Sequence, residues 1–442
     1  MKTVTLWQQI NQYLLLLVYL IPVAVIWLGR IWIRRASSEK HLHALRENQA
    51  AGLTEPPSLH PLIDRDLCIA CNACAKACPE NDVLAIIGDK VELINPTHCI
   101  GHGACAVACP VDAITLVFGT EKRGMEIPHV KPDFETNVKG IFIAGELGGM
   151  GLIRNAIEQG RQAMETIRKY PSNKPDLLDV LIIGAGPAGM SATLSALKYK
   201  MKYVTIEQDS LGGTVAHFPR GKIVMTQPVE LSLIGKVRFR ETTKEKLLAF
   251  WEGIEQKTHM KINYNERMDE IIPQKGYHTV KTTKRSYNTK NILIAIGRRG
   301  TPRKLGVPGE EQNKVVYRLV DPEQYQGQHV LIVGGGDSAL EAAHSIADVP
   351  GSTVTISYRS DAFSRAKEKN RNKVLKYGKE GKINILLKSN VKEILPKEVI
   401  LDQDGKQIKL PNEAVIVSAG GILPTGMLKS IGIMVETKHG TQ

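Results

Sequence analysis

Seven cysteines, the only ones in the 442-residue chain, lie between Cys68 and Cys109. Four of them have the spacing C-x2-C-x2-C-x3-C and precede Pro79, in the run CIACNACAKACP. A second run, CIGHGACAVACP from residue 99, repeats the spacing with one histidine in place of a cysteine. Short C-x2-C spacing in a long chain indicates metal binding rather than a disulfide framework, and thiolates spaced in this way bind cubane iron–sulfur clusters.

A short hydrophobic segment follows each cysteine run, VLAII from residue 83 and AITLV from residue 113, and we expect both to be strands. This region of about 60 residues resembles a bacterial two-cluster ferredoxin. The resemblance implies that each cluster takes three ligands from one run and one from the other. It assigns one 4Fe–4S cluster to Cys68, Cys71, Cys74 and Cys109, and it leaves Cys78, Cys99 and Cys105 for the second.

His102 stands where the second run lacks its cysteine. Imidazole can replace thiolate on an iron, and as a neutral ligand it would raise the potential of a second 4Fe–4S cluster. Alternatively, the C-x5-C gap between Cys99 and Cys105 resembles ferredoxins with a 3Fe–4S cluster, which lacks that corner iron. In a third interpretation His102 is a solvated loop residue that binds no metal. Histidine ligation or a 3Fe–4S cluster would each make the two centres electronically unequal.

The stretch DVLIIGAGPAGMSATLSAL, from residue 179, predicts a nucleotide-binding turn between a strand and a helix. Gly184, Gly186 and Gly189 would let the backbone approach a pyrophosphate at the helix N-terminus. Glu207 ends the next apolar segment, YVTIE, and could accept a hydrogen bond from a ribose hydroxyl. A GxGxxG motif that follows a strand, opens a helix and has an acidic residue at the end of the next strand is much more specific for dinucleotide binding than the motif alone.

A second fingerprint follows in HVLIVGGGDSALEAAHSI, from residue 329, with Gly334, Gly336 and Ala339 in the three small-residue places. The next predicted strand ends in VTISYRS, where Arg359 replaces the acidic residue and Arg365 follows. Arginine at this place suits a 2′-phosphate, so the sequence favours NADPH over NADH. A solvated surface charge is the alternative role for Arg359.

The two fingerprints, with ILIAIGRRG between them, resemble the thioredoxin reductase-like flavoproteins over most of residues 119–442. The resemblance implies FAD at the first fingerprint, NADPH at the second, and Gly212 and Gly213 near the flavin. One departure concerns the redox cysteine pair of that family. Its places are taken by Tyr317 and Val320, so this chain has no disulfide there to reduce.

A second departure concerns chain order. The stretch that closes the FAD domain near the C-terminus in that family is matched here by residues 133–167, with Gly145 and Glu146 in its AGE turn. We infer a circular permutation, in which this segment completes the FAD site from the N-terminal side. The alternative is a linker helix over residues 119–170.

The segment from Tyr13 to Ile33 is apolar apart from Arg30, and as a helix it would span about 30 Å. Arg30, Arg34 and Arg35 favour a cytoplasmic location for everything that follows. We therefore expect a single-pass anchor in the cytoplasmic (inner) membrane, with the redox domains in the cytoplasm. A cleaved signal peptide is the alternative, disfavoured by the length of the run.

The expected fold is α/β, with two Rossmann-like domains of the thioredoxin reductase type, a small α+β ferredoxin domain and one transmembrane helix. The predicted order is an anchor (1–35), a polar linker (36–62), the ferredoxin domain (63–118), the permuted FAD segment (119–172), the FAD domain (173–300), the NAD(P)H domain (301–420) and a return to the FAD domain (421–442).

The net charge of +13 comes without a compact basic block interleaved with aromatic residues, so nucleic acid is not an expected partner. These features together predict an oxidoreductase that moves electrons between NADPH, FAD and clusters and a redox partner protein or membrane acceptor. The alternatives are a flavin-dependent reductase of a small substrate with the clusters as relay, and a redox sensor or docking protein. A homodimer is compatible with the sequence, and no side chain is assigned as a catalytic acid or nucleophile.

The first prediction concerns His102→Cys in the cluster-loaded protein. A restored thiolate should give two similar low-potential 4Fe–4S signals, because both clusters would then have four thiolate ligands. The parent protein should show one centre of higher potential or a 3Fe–4S signal. Redox titration followed by EPR makes the comparison, and identical spectra and potentials in the two proteins would exclude His102 as a ligand.

Overall fold

The structure is a computed structural model. It describes the chain apart from residues 1, 51, 57–58, 81, 100, 122–123, 150, 173, 219–222, 226–227, 238–241, 299, 365 and 441–442, and apart from the side chains of residues 2–18 and 223–225. The chain forms two compact units. The first contains residues 1–54, 61–98 and 103–115, and the second contains residues 55–60, 99–102 and 116–442.

The helices of the described part are α1 (Lys2–Ala50), α2 (Ala73–Ala77), α3 (Ala104–Val107), α4 (Ile153–Ile167), α5 (Pro187–Lys198), α6 (Lys244–Thr258), α7 (Asp337–Ala347), α8 (Glu368–Lys379) and α9 (Thr425–Ser430). The strands are β1 (His60–Ile63), β2 (Leu84–Ile87), β3 (Lys90–Leu93), β4 (Ile114–Val117), β5 (Met125–Pro128), β6 (Ile141–Ile143), β7 (Leu178–Ile183), β8 (Tyr203–Ile206), β9 (Ile223–Met225), β10 (Val229–Leu231), β11 (Gly235–Val237), β12 (Thr242–Thr243), β13 (Ile262–Asn263), β14 (Met268–Gln274), β15 (Tyr277–Thr282), β16 (Ser286–Ile294), β17 (Thr301–Pro302), β18 (Val315–Val316), β19 (His329–Val333), β20 (Thr353–Tyr358), β21 (Ile383–Leu387), β22 (Ser389–Ile394), β23 (Glu398–Gln403), β24 (Lys406–Pro411), β25 (Ala414–Val417), β26 (Gly421–Ile422) and β27 (Val435–Lys438).

The first unit contains a small hairpin and two short helices that carry cysteines. Strands β2 and β3 pair antiparallel, from Leu84 opposite Leu93 to Ile87 opposite Lys90. The two hydrophobic segments predicted as strands are β2 and β4. Leu84 of β2 and Ile114 of β4 are buried. The two hydrophobic segments thus form strands of two small sheets, β2-β3 and β1-β4.

The second half of α1 is tied to this hairpin. The Ser38 hydroxyl accepts from the Gly88 amide at 2.9 Å, and the Asn48 side-chain amide donates to the Ile94 carbonyl at 2.9 Å. The His41 ring Nδ1 lies 3.1 Å from the Ile86 carbonyl oxygen. Residues 36–50, expected as the first part of a polar linker, therefore continue the helix. Their polar side chains bind backbone groups of the hairpin.

In the described part of the chain, no helix combines the length and the apolar character needed to cross a membrane. The predicted crossing from Tyr13 to Ile33 is therefore not supported. Residues 13–18 of it have side chains outside the described part. The described remainder, from Tyr19, is shorter than the roughly 20 apolar residues of a spanning helix and contains Arg30.

The second unit is built on two sheets, and the first has the order β13-β8-β7-β16-β15-β14, with β6 also paired to β16. Its central strands β7, β8 and β16 run parallel. The residues of β7 from Val180 to Ile183 are almost all apolar and branched, as expected for a strand covered on both faces. They pack on one side against α4 and α5 and on the other against α9 and the segment after it.

The segment before the first fingerprint forms part of this sheet. Strand β6 pairs parallel with β16, with Ile141 opposite Ile292. Helix α4, which follows β6, packs closely along α5. A Cβ on Gly160 of α4 would lie 2.1 Å from the Ala188 carbonyl oxygen of α5, so the two backbones approach to a distance that only glycine permits.

The second sheet is parallel, with the order β18-β25-β19-β20-β21. Helices α7 and α8 contribute to the core on one face, and the antiparallel sheet β22-β23-β24 contributes to the core on the other. The chain enters this half through β17 and returns through β26, and these two strands pair with each other. The first sheet is mixed, since β14, β15 and β16 pair antiparallel, and the second is parallel. Each contains a strand–glycine turn–helix unit, which confirms the predicted α/β class. The finer domain boundaries stay predictions.

Candidate functional site

Four cysteines line one cavity in the first unit. They are the four that the sequence assigned to a single 4Fe–4S cluster: Cys68, Cys71, Cys74 and Cys109. Apolar side chains complete the wall, among them Ile63, Val91 and Ile114. Four thiols converging on an apolar cavity are a donor set that fits a cubane cluster.

The loop that carries three of these thiols is sharply bent. Ala70 and Asn72 have positive φ angles of 54° and 65°, which turn the chain between successive cysteines. Asn72 then caps the short helix α2, where Cys74 is buried. Burial raises the pKa of the Cys74 thiol to about 11. Iron would therefore have to displace a proton from this sulfur, as metal binding to cysteine generally requires.

The other predicted ligands are divided between the two units. Cys78 and Cys105 are buried in the first unit, with exposures of 5% each. Cys99 is buried and His102 is half-buried in the second unit. The Cys99 thiol lies 3.7 Å from the Leu59 carbonyl oxygen. Ligation of a second cluster by these residues stays a prediction.

A cavity of about 640 Å³ lies in the second unit, at the carboxyl ends of β7, β8 and β16. Its lining includes Gly184, Gly186 and Glu207 of the first fingerprint. It also includes Gly145, Glu146, Gly213 and the stretch from Gly300 to Pro302. Ligands of doubly wound sheets bind in the crevice at this edge.

The fingerprint glycines hold the helix N-terminus against the strand. A Cβ on Gly189 would lie 1.8 Å from the Gly184 carbonyl oxygen, and Gly184 itself has a φ of 106°. Side chains at these positions would push α5 away from β7. The N-terminus of α5 therefore opens into the cavity without obstruction, as a pyrophosphate requires. The cradle fits a dinucleotide such as FAD.

Glu207 is positioned by backbone donors of the same turn. Its Oε2 accepts from the Ala185 amide at 2.7 Å, and its Oε1 accepts from the Asp209 amide at 3.0 Å. Burial raises the pKa of this carboxyl. The Glu207 side chain lines the cavity at the end of β8, where its carboxylate could accept a hydrogen bond from a ribose hydroxyl.

The turn after β6 completes the cavity from the N-terminal side. The Gly145 amide donates to the Gln159 side-chain oxygen of α4 at 2.8 Å. Gly145 has a φ of 85° and a ψ of −157°, a conformation that other residues rarely adopt. Sequence reasoning identified Gly145 and Glu146 but missed Gln159, which lies about two helix turns beyond the Gly-rich stretch.

Two further polar residues of the cavity carried no recognisable sequence pattern. Glu266 is buried, and its carboxylate accepts from the Thr282 hydroxyl at 2.7 Å and the Tyr287 hydroxyl at 3.1 Å. His217 has its Nε2 3.0 Å from an Asp209 carboxylate oxygen. An acidic residue two positions before a strand was the only signal for Glu266, and it is a weak one.

The second fingerprint has the same close packing as the first. A Cβ on Gly334 would lie 2.4 Å from the Ser418 carbonyl oxygen, Gly336 caps α7, and Ala339 is fully buried. Arg359 follows β20 directly and its side chain is exposed. Arg365 lies outside the described residues. The structure thus places Arg359 at the strand end that the sequence indicated.

The places of the redox cysteines hold the half-buried Tyr317 and the exposed Val320. The Tyr317 hydroxyl donates to a Glu310 carboxylate oxygen at 2.9 Å, and burial raises the pKa of the phenol. The neighbouring Arg318 contacts His217, and its Nη1 lies 3.9 Å from an Asp209 carboxylate oxygen. The Arg318 contacts link the second half of the unit to His217 at the dinucleotide cavity.

Comparison with known proteins agrees with this geometry. Residues 181–441 match the model of the pyridine nucleotide-disulphide oxidoreductase family, and residues 60–110 match that of a 4Fe-4S dicluster domain. The ferredoxin–NADP reductase of Ignicoccus hospitalis is 30% identical over 272 residues, which cover 59% of this chain and 83% of that protein.

Two other similar proteins act on thiol systems by name. The bacilliredoxin reductase of Bacillus subtilis is 24% identical over 267 residues, covering 59% of this chain and 82% of its own. The solved structure of a bacillithiol disulfide reductase from Bacillus cereus has a TM-score of 0.53 at 24% identity, covering 58% of this chain and 81% of its own. The second likeness concerns the fold alone.

The class that the two sheets and their glycine turns define is that of the dinucleotide-binding flavoproteins. The chain belongs to the pyridine nucleotide-disulphide oxidoreductase family and also carries a 4Fe-4S dicluster domain. It is an FAD-dependent oxidoreductase.

The second prediction concerns Arg359→Ala. If this side chain pairs with a 2′-phosphate, its loss removes a charge-assisted hydrogen bond of about 1.5–3 kcal/mol, or about tenfold to a hundredfold in affinity. NADPH use should weaken by that factor while NADH use stays nearly unchanged. Steady-state kinetics with both nucleotides provides the measurement, and Lys388→Ala, also close to the end of this sheet, is the control. Equal losses for NADPH and NADH would contradict the assignment.

Proposed function

We propose that this chain transfers electrons from NADPH through FAD and two iron–sulfur clusters to a one-electron acceptor, or in the reverse direction. Bound FAD would accept two electrons as one hydride and release them singly, and each cluster carries one electron at a time. One combination of features in this chain carries the proposal. The same chain holds a four-cysteine cavity and a dinucleotide cavity, while Tyr317 and Val320 occupy the places of a thiol pair.

The similar ferredoxin–NADP reductase supports the choice of NADPH and of a one-electron partner. The position of Arg359 at the end of β20 supports NADPH as well. The acceptor would be a redox partner protein or a membrane electron carrier. Direct reduction of a thiol substrate is less well supported, because all cysteines of this chain lie between Cys68 and Cys109.

The four-cysteine cavity is a suitable point for electrons to leave. Cys71 is exposed, and the wall residue Ile69 is exposed by 61%. Leu67, beside them in the sequence, is exposed by 52%. A cluster held there would lie close to an apolar patch of surface. Such a patch, with a cofactor edge beneath it, suits brief contact with a redox protein.

We also propose that residues 119–172 are the permuted closing segment of the FAD domain. Support comes from β6, which pairs with β16, and from Gly145 and Glu146, which line the dinucleotide cavity. Helix α4 packs on α5 as an integral part of the domain. A second cluster, held by Cys78, Cys99 and Cys105 with or without His102, belongs to the same proposal.

The third prediction tests the electron path with the full chain carrying Cys68→Ser and Cys109→Ser. FAD should still bind and be reduced by NADPH, because both fingerprints are unchanged. Transfer to an oxidised 4Fe–4S ferredoxin should be lost, because one cluster lacks half of its ligands. Stopped-flow absorbance can follow flavin reduction and cluster bleaching separately after mixing with NADPH.

The matched control for this variant is Thr115→Ser, which lies close to Cys109 but offers no metal ligand. Small dyes are unsuitable acceptors, since they can take electrons directly from an exposed flavin. Ferredoxin reduction at the same rate by the double variant and the parent protein would refute the proposed path.

For localisation we propose attachment of α1 to the cytoplasmic face of the inner membrane, with the redox units in the cytoplasm. Support comes from large apolar side chains that are exposed on this helix, including Tyr19, Trp27 and Trp32. Arg34 and Arg35 follow this segment directly and would favour an anionic surface.

The fourth prediction follows from that proposal. After cell lysis the protein should sediment with membranes, and detergent should release it more completely than high salt. Ile26→Asp combined with Trp27→Asp should move it to the supernatant, because charged groups are costly to bury in lipid. Arg65→Met, in the first unit but away from α1, is the control. Wild-type protein found in the supernatant would sink the proposal.

A further inference from the structure

Lys90 lies beside the four-cysteine cavity without being one of its lining residues. It is the first residue of β3, directly before Val91, whose side chain forms part of the cavity wall. The Lys90 ammonium donates to the backbone carbonyl oxygen of Cys68 at 2.9 Å. A cationic group therefore sits at the backbone of the first cysteine of the set.

Two acids lie next to Lys90 in the chain, Asp89 directly before it and Glu92 two residues after it. Glu92, the nearest acid along β3, forms its ion pair with Arg65. No ion pair of Lys90 occurs among the residues that the structure describes. The positive charge is also half-buried, so water screens it less than it screens a fully exposed lysine.

We propose that Lys90 raises the reduction potential of the cluster held by Cys68, Cys71, Cys74 and Cys109. Reduction adds one negative charge to the cluster, and a cation nearby favours the reduced state. The inference rests on the proposed function, because it requires a cluster at these cysteines. Its effect would be to make this cluster an easier acceptor for electrons that come from the flavin.

A purely structural role must be separated from this electrostatic one. The bond to the Cys68 carbonyl also fastens the hairpin to the cysteine loop, and any donor could do that. Lys90→Arg keeps the charge and the donor. Lys90→Gln keeps a donor without charge, and Lys90→Met removes both while retaining an apolar stem. The potential should follow the charge and not the hydrogen bond.

The experiment is an EPR-monitored redox titration of the full-length, cluster-loaded protein. In Lys90→Met and Lys90→Gln the one-electron equilibrium for this cluster should shift about tenfold toward the oxidised form, or about 59 mV lower. Lys90→Arg should stay near the parent value. High salt should reduce the difference, because ions screen the charge.

Arg65→Met is the matched control, since it changes the net charge by the same amount but removes one partner of an exposed ion pair. Its shift should be clearly smaller than that of Lys90→Met. Equal potentials in the parent, Lys90→Met and Lys90→Gln would overturn the inference. So would loss of the cluster from both uncharged variants with retention in Lys90→Arg, because Lys90 would then be needed for assembly.

The failure of the proposed function looks different in the same experiment. If no 4Fe–4S signal of the parent protein disappears on Cys68→Ser, the cavity holds no cluster and the proposed electron path fails. If Cys68→Ser removes a 4Fe–4S signal but the uncharged Lys90 variants show no shift in potential, the electron path stands and the role of Lys90 fails.

Discussion

The fold of the second unit depends on close backbone contact at the N-terminus of α5. From one side, Gly189 of α5 meets the Gly184 carbonyl with space for no Cβ. From the other side, Gly160 of α4 meets the Ala188 carbonyl with equally little space. Helix α5 is therefore fixed between the sheet and α4 by positions where any side chain would force the elements apart. The cavity exists because this helix end is held close to the strand and is left open toward solvent.

That constraint explains why residues far apart in sequence form one site. Helix α4 precedes the first fingerprint, yet it packs against the fingerprint helix and holds Gly145 through Gln159. Strand β6 joins the same sheet beside β16. Sheets and helices need close packing but not a particular order of connection, so a segment can complete a domain from either end of the chain. Residues 119–172 precede the first fingerprint in the chain, and in this order β6 still pairs with β16 and α4 still packs against α5.

Much of this arrangement was predictable, and the exceptions have physical reasons. The two glycine fingerprints and the cysteine runs can be recognised in the sequence, because close backbone approach and metal ligation require particular residues at fixed spacing. Glu266 and Gln159 were not predictable, since each is selected by neighbours from distant strands and helices. The linker prediction for residues 36–50 differed from the structure because Ser38 and Asn48, polar residues typical of a solvated tether, instead bind the hairpin backbone. The apolar run before them resembled a membrane span by composition, but its described part is too short for one.

The distribution of charge and sulfur separates the two units chemically. The first contains nine of the 58 basic residues and nine of the 45 acidic ones, so the whole net charge of +13 belongs to the second. Most of the cysteines belong to the first unit, and none lies beyond Cys109. In the second unit the thiol places hold Tyr317, whose phenol has its pKa raised by burial and by the hydrogen bond to Glu310, and Val320, which has no redox chemistry. The region beyond Cys109 contains no thiol, so from there electrons can pass onward only through another carrier or directly to a substrate at the flavin. The cysteines are the soft ligands that could hold such a carrier, and all seven lie between Cys68 and Cys109, four of them around one cavity.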